Sequence, residues 1–521
     1  MSHTSLPRIT IGLLPAAIVS AFSDRRDLLV GTLADGAAAV SGALLTDLQR
    51  LTRSEQRALL GNGELFQRLR QFLAGNAGYS PVDVIGVAPA PTGLPATAAV
   101  KLTGAATAPG TIKVSPVDAV QFTVDVPISI GHTADVVAAA LVAAFDAIAD
   151  KPFTAAATAG DVELTATDKG TPGNLYGIAV SGSTPGITVT LDAWLGGAND
   201  PSVTAVFDAV GATRYTGISW PEYLAPNLAI VKDFLQARFN PANSIQDGVA
   251  FVGRSLTYVE ALAAVAAENS QCIVQGGNNR ISTAAHKGPA ILQPADWTLA
   301  YLMGVRSKRL TPNAPLASNV QATAGSLDAI GGPALASLPL FNTPLPSAPV
   351  GLPGLLYSEQ EQGDLQRAGF STFGSNLESS GTVAGEITTN WKTDASGNES
   401  PSFHFLEYVD TGSVCREVFW RTLRSTFAQS RLTEGALIPG RSIANAALIL
   451  AEILRIYREL ANLALVVAGS EAEDYFSANT QVLIDMSSGR ATVRGPLPIV
   501  TQLRTIDYLL QFDFTVGTRE A

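Results

Sequence analysis

Three short runs decide how the chain is read: Tyr215-Thr216-Gly217-Ile218-Ser219, Gly248-Val249-Ala250-Phe251-Val252 and Gln271-Cys272-Ile273-Val274-Gln275. Each is an apolar stretch of strand length, and residues 226–239, 257–269 and 294–309 carry the apolar spacing of helices. Strand and helix in alternation predict βαβ units and a mainly parallel sheet.

Toward the N-terminus, residues 82–87 read as a further strand. Residues 46–75 read as helical, with Leu65, Phe66, Leu69, Phe72 and Leu73 on one face and Gly61 and Gly75 at stop positions. Arg8-Ile9-Thr10-Ile11 is extended and has too few neighbours to pair with, so it reads as an arm. Pro89, Pro91 and Pro95 mark a boundary, beyond which Ala, Thr, Gly and Val dominate as far as Gly196-Gly197. Within that stretch, strands are predicted at 111–114, 120–126, 162–167 and 187–191. Thr133 is placed to cap a helix bearing Val137, Leu141, Phe145 and Ile148.

Toward the C-terminus, the proline-dense tract 310–354 is predicted to run over the surface. Strands at 369–373, 383–391 and 403–409, helices at 413–431 and 443–467, and strands at 481–484, 491–494 and 499–514 complete the pass. The fold class expected is therefore α/β and α+β multidomain: a mainly parallel α/β body, an inserted β-rich α+β domain, and an α+β C-terminal domain with terminal β arms. The expected divisions are an N-terminal arm (1–20), the first part of the body (21–90), the insertion (91–198), the body continued into the proline-rich segment (199–354), the C-terminal domain (355–498) and a C-terminal β arm (499–521).

Composition narrows the function. Apolar residues make up 46% of the chain and charged residues 15%, a charge-poor surface of the kind buried against neighbouring subunits. A net charge of −11 argues against nucleic-acid binding, which needs clustered Lys and Arg. The greasiest stretch, 136–148, is broken by Asp146 and is short of a membrane span, and the N-terminus lacks a signal-peptide pattern, so synthesis in a cytoplasm is expected. His3, His132, His286 and His404 stand in no catalytic motif. No Gly-x-Ser-x-Gly elbow or His-Glu-x-x-His helix occurs, and Gly61-Asn62-Gly63 lacks what a phosphate loop requires. Neither catalysis, cofactor nor metal is expected.

Three features remain. Arg416, Arg421 and Arg424, with Arg431 beyond, make a basic ridge on a helix, opposed locally only by Glu417, and suit an acidic partner surface. Ile506, Tyr508, Leu510, Phe512 and Phe514 alternate along a terminal strand fit to complete its own sheet or a neighbour's. Cys272 and Cys415 are too few for a disulfide framework; each reads as a core thiol or as one end of a bridge between subunits. Cys415 is expected at the start of the arginine helix, where the dipole and Arg416 favour the thiolate.

The insertion ending in Asp192-Ala193-Trp194-Leu195-Gly196-Gly197-Ala198-Asn199-Asp200-Pro201, the following Arg214-Tyr215-Thr216-Gly217-Ile218, and Glu386-Ile387-Thr388-Thr389-Asn390-Trp391-Lys392-Thr393 resemble the contractile tail sheath family, in particular its Mu-like branch. The resemblance implies a virion subunit, made and assembled in the host cytoplasm, that polymerises with itself around an inner tail tube protein and meets baseplate and tail terminator proteins. It implies exchange of terminal arms (Ile9 and Ile11; Ile506, Tyr508, Leu510, Phe512 and Phe514) into a shared sheet, and a tube-facing helix carrying Arg416, Arg421 and Arg424. Another non-enzymatic virion or surface-binding protein, and an enzyme with an unrecognised site, are the alternatives.

Overall fold

The computed structural model describes residues 26–239, 247–310, 340, 343–345, 356–375, 382–394, 396–437 and 442–501. The chain divides into two compact units, Met1–Ser430 and Arg431–Ala521.

The first unit runs, in chain order, through β1 (Asp27–Thr32), β2 (Leu44–Leu45), α1 (Arg53–Leu60), α2 (Glu64–Asn76), β3 (Val82–Val87), β4 (Pro95–Gly104), β5 (Gly110–Pro116), β6 (Val124–Ile128), α3 (Ala134–Asp146), β7 (Phe153–Thr158), β8 (Asp161–Lys169), β9 (Ile178–Ser183) and β10 (Ile187–Leu195). It continues with β11 (Gly217–Trp220), α4 (Leu228–Arg238), β12 (Val249–Leu256), α5 (Tyr258–Ala266), β13 (Ile273–Ser282), β14 (His286–Pro289), α6 (Ala295–Leu310), α7 (Glu359–Arg367), β15 (Phe370–Ser375), β16 (Thr382–Ala384) and α8 (Leu406–Phe427). The strands β3-β1-β11-β12-β13-β15 pair in parallel; the strand–helix alternation predicts this for β11, β12 and β13, whereas β1 is not among the predicted strands and β15, expected in a separate C-terminal domain, pairs with β13 in the body's sheet. β1 is buried along its whole length because helices cover both faces of the sheet.

One face packs α2 and α6, with Leu65, Phe66, Leu69 and Phe72 against Leu299, Leu302 and Met303. The two helices meet backbone to backbone: a Cβ on Gly75 would lie 2.2 Å from the Tyr301 carbonyl oxygen, and one on Gly304 would lie 2.3 Å from that of Phe72. Gly75 is thus a contact residue inside α2 and not its stop, whereas Gly61 (φ 76°) does end α1. The other face buries Leu28, Val30, Ile218 and Trp220 against Val231 and Leu235 of α4.

Residues 95–195 build a second core, which Trp297 of α6 joins. A four-stranded antiparallel sheet, β10-β4-β8-β7, lies under α3, whose Val137, Leu141 and Phe145 are buried with Val100, Phe153, Val162 and Trp194. The Thr133 hydroxyl caps α3 by accepting from the Val136 amide. β5, β6 and β9 join the large sheet through β14, which pairs with β13 on one side and β9 on the other.

Two expectations are corrected in this unit. Where the proline-dense tract is described it is anchored in the interior and not confined to the surface: Leu340, Thr343 and Leu345 are buried, the two leucines in one core with Phe373 and Ala384, and of the tract's described residues only Pro344 is exposed. Residues 403–409 are not a strand. The alternation of Phe403 and Phe405 is real, but Leu406, Val409, Val414 and Val418 follow helical spacing, and α8 starts at Leu406.

The second unit is smaller: β17 (Arg431–Leu432) beside β18 (Ile443–Ala444), then α9 (Ala446–Asn462), α10 (Ser470–Asn479) and the hairpin β19 (Gln481–Asp485) with β20 (Arg490–Arg494). Asn445 caps α9 through the Leu448 amide, Ile449, Ile453, Ile456 and Leu460 form its buried stripe, and Tyr457 stacks on Phe476 at 4.6 Å.

Candidate functional site

The arginine helix is seated by charge as well as by Leu406 and Val409, which are buried in the body's core. Its buried first turns carry Asp410, whose carboxylate is gripped by the Arg306 fork, with Nε donating to Oδ2 at 2.8 Å and Nη2 to Oδ1; Arg306 Nη1 also donates to the Thr216 carbonyl at 3.2 Å. Two turns on, Glu417 is buried and accepts from Arg214 Nη1 on one oxygen and from Arg421 Nε, at 2.8 Å, on the other. Asp247 lies beside them, 2.6 Å from Arg416 Nη2 and 3.7 Å from Arg214 Nη2. The guanidinium of Arg416 also rests over the Phe239 ring, 4.3 Å from its centroid.

The expected ridge of solvent-facing arginines therefore needs correction. Arg416 and Arg421 are only partly exposed, and both pair with carboxylates buried at the seam between α8 and the body. Arg424 is exposed, its guanidinium over the Trp420 ring at 5.0 Å, and Arg431 belongs to the second unit. The sequence reading missed Arg214, Asp247, Arg306 and Asp410, since the Arg214–Glu417 contact spans 203 positions and leaves no local pattern.

Both cysteines are buried and free. Burial pushes each thiol up to about 12, with the Asp247 charge adding to the rise at Cys272. Cys415 is not at a helix start: α8 begins at Leu406, so Cys415 lies more than two turns in and gains nothing from the positive end of the dipole. A bridge from either residue to a neighbour would require its side chain to leave the core.

In the second unit, the β19–β20 hairpin pairs only with itself among the described residues and leaves Leu483, Met486 and Val493 exposed. An isolated two-stranded ribbon is marginal in water and gains from a further strand. Downstream, the Val467 amide donates to the Pro498 carbonyl at 2.9 Å and the Val500 amide to that of Leu465 at 3.3 Å, so the chain is extended where the C-terminal arm was expected to begin. Ile9, Ile11, Ile506, Tyr508, Leu510, Phe512 and Phe514 lie outside the described residues.

The histidines converge on nothing catalytic among the described residues. His286 is buried, with Nε2 2.7 Å from the Pro289 carbonyl oxygen and its pKa lowered by burial; His404 precedes α8 and is not in a strand. No group of three His, Cys, Asp or Glu among the described residues is placed to hold a metal ion, and no described helix is long and apolar enough to cross a membrane.

The chain is 27% identical over 504 residues to the Mu-like prophage FluMu tail sheath protein of Haemophilus influenzae, covering 93% of this chain and 92% of that one. The likeness to the Mu-like tail sheath family read from the sequence is shown in that relative. No protein-family profile matches. Among solved structures, the sheath tail protein of Listeria innocua aligns over 93% of this chain and 96% of its own at 11% identity and TM-score 0.45. That of Desulfitobacterium hafniense aligns over 95% and 100% at 11% identity and TM-score 0.42.

Proposed function

We propose that this relative of a Mu-like tail sheath protein is a structural, non-enzymatic subunit of a contractile tail sheath, which polymerises around an inner tube and contracts to drive it through a host envelope. The observation that carries the reading is sequence similarity to a tail sheath protein along nearly the whole length of both chains. The partners are then further copies of itself, the inner tail tube protein, and the baseplate and tail terminator proteins. The subunit resides in the virion after assembly in the host cytoplasm.

The β19–β20 ribbon is the acceptor for exchanged arms: residues 8–11 and the part of the 499–521 arm that follows residue 501 in neighbouring copies add strands to it, pairing its free backbone groups and covering Leu483 and Val493. Contact with the tube falls to the exposed end of α8 at Arg424, with Arg421 beside it, while Arg416 holds the helix in place. The extended polymer is trapped at assembly, and release lets subunits repack into a lower-energy lattice without a cofactor. Negative-stain electron microscopy of the purified protein, with and without tube protein, tests this. Rings or helical tubes are expected; monodisperse subunits under all conditions, or turnover of any substrate, would overturn it.

A further inference from the structure

A second buried charge cluster lies toward the other end of α6 from Arg306, where the 95–195 module meets the body. Asp168, on β8, reaches out of the module to the first turn of α2: its Oδ2 accepts from the Glu64 amide at 2.8 Å and from the Tyr176 hydroxyl at 3.0 Å. Only glycine permits this approach, since a Cβ at Gly63 would lie 2.0 Å from Asp168 Oδ1. Behind it, Glu64 Oε1 is 3.1 Å from Arg68 Nε, and the Tyr223 hydroxyl donates to Glu64 Oε2 at 3.3 Å. Asp296, from α6, lies 4.0 Å from Arg68 Nη1 and accepts from the Trp297 amide at 3.0 Å.

Three carboxyl groups and one guanidinium thus share a site in which no member is more than 1% exposed. Fully ionised, the site would carry two uncompensated negative charges away from water, which costs far more than holding protons there. Other charges around it do not restore the balance: Asp35, held by Lys169 at 2.8 Å, adds to the negative field at Asp168, and Glu222, flanked by Arg254 and Arg280, faces Asp296. The carboxyls lie on three separate parts of the chain, β8, α2 and α6, so ionisation acts on the contact between them.

We propose that this cluster is a proton-operated joint: the 95–195 module is seated on the body while the buried carboxyls hold protons, and loosens as they are lost. The inference rests on the geometry of the cluster and is independent of the sheath reading. Burial pushes Asp168 up to about 6 against the two hydrogen bonds that favour its ionised form, and burial likewise raises Glu64 and Asp296. The native pKa of Asp168 exceeds the unfolded value of 3.8, so its contribution to seating is complete below about pH 4 and is lost as pH rises through about 6.

Native-state hydrogen exchange by mass spectrometry, corrected for intrinsic rates, tests this on peptides spanning 62–68 and 161–169. With those two pKa values, the opening equilibrium should rise about tenfold from pH 5 to pH 8. Asp168→Asn, which keeps a hydrogen-bond acceptor but cannot titrate, should reduce that rise by about the same factor. Tyr176→Phe removes a bond that favours the carboxylate and should move the rise to higher pH, which keeps the test open if the asparagine variant does not fold. A wild-type opening constant that is flat from pH 5 to 8, or an equal rise in Asp168→Asn, would overturn the joint.

Discussion

Replacing Glu417 by Gln probes whether charge seats α8. The glutamine keeps the shape and can still accept one hydrogen bond, but Arg214, whose side chain is 8% exposed, loses its closest counter-charge. Breaking a buried ion pair from one side costs about 3 to 5 kcal/mol, because the remaining charge stays desolvated. Asp247, 3.7 Å from Arg214, still offsets part of that loss, which puts the expected cost near the lower limit, about 3 kcal/mol. Arg421→Ala removes the other partner of Glu417, yet that side chain is 31% exposed and paired within its own helix, so about 0.5 kcal/mol is expected. Urea unfolding followed by circular dichroism measures both, and a cycle with Arg214→Met isolates the coupling. A Glu417→Gln cost no larger than that of Arg421→Ala would refute the view that α8 is seated by these charges.

Further expectations concern the surfaces and the thiols. Arg424→Glu should change stability by less than about 0.5 kcal/mol while reducing co-sedimentation with inner tube protein; unchanged co-sedimentation would remove α8 from the tube contact. Deleting residues 1–14, or ending the chain before Arg504, should leave folded subunits that no longer form tubes, and unfolding of either truncation would mean the strands serve their own chain. Cys272 and Cys415, with thiols pushed up to about 12, should resist alkylation at pH 8 until the protein is unfolded; rapid labelling of the native chain would show that one of them reaches solvent.

The parts of the fold legible in the sequence are those whose signal is local. β3 occupies the residues predicted for it, β11, β12 and β13 follow from the strand–helix alternation, and Thr133 caps α3 because hydroxyl capping is decided within one turn. β4 and β7 were missed for a physical reason: their inward positions are often alanines, as at Ala96, Ala98 and Ala155, too small to raise a period-two pattern above the background. At the candidate site the arginines themselves were legible but their environment was not. Glu417 reads as a lone counter-charge in sequence, and only folding brings Arg214 and Asp247 to it from positions where nothing in the local pattern marks them.

The two buried charge clusters occupy equivalent places in the design of the first unit. Apolar burial fills the cores, Phe66, Phe72 and Met303 on one face of the sheet and Phe145, Phe153 and Val162 in the 95–195 module, where packing is shared by many residues and no single contact decides the outcome. At the two seams, α8 on the body and the module on α2, buried polar contacts are added to the apolar ones of Leu406, Val409 and Trp297: Arg306 with Asp410 and Arg214 with Glu417 at one, Asp168 with the Glu64 amide at the other. An ion pair of that kind adds little net stability over an apolar replacement but penalises every misregistered arrangement, because a displaced partner leaves a desolvated charge behind. Each seam's polar contacts therefore fix one docking geometry sharply, beside cores that Leu406, Val409 and Trp297 carry across the seams. Loss of Glu417 or of the Asp168 carboxyl should accordingly raise exchange first at its own seam, while the centre of the parallel sheet, at β1 and β11, loses protection only by as much as global stability falls.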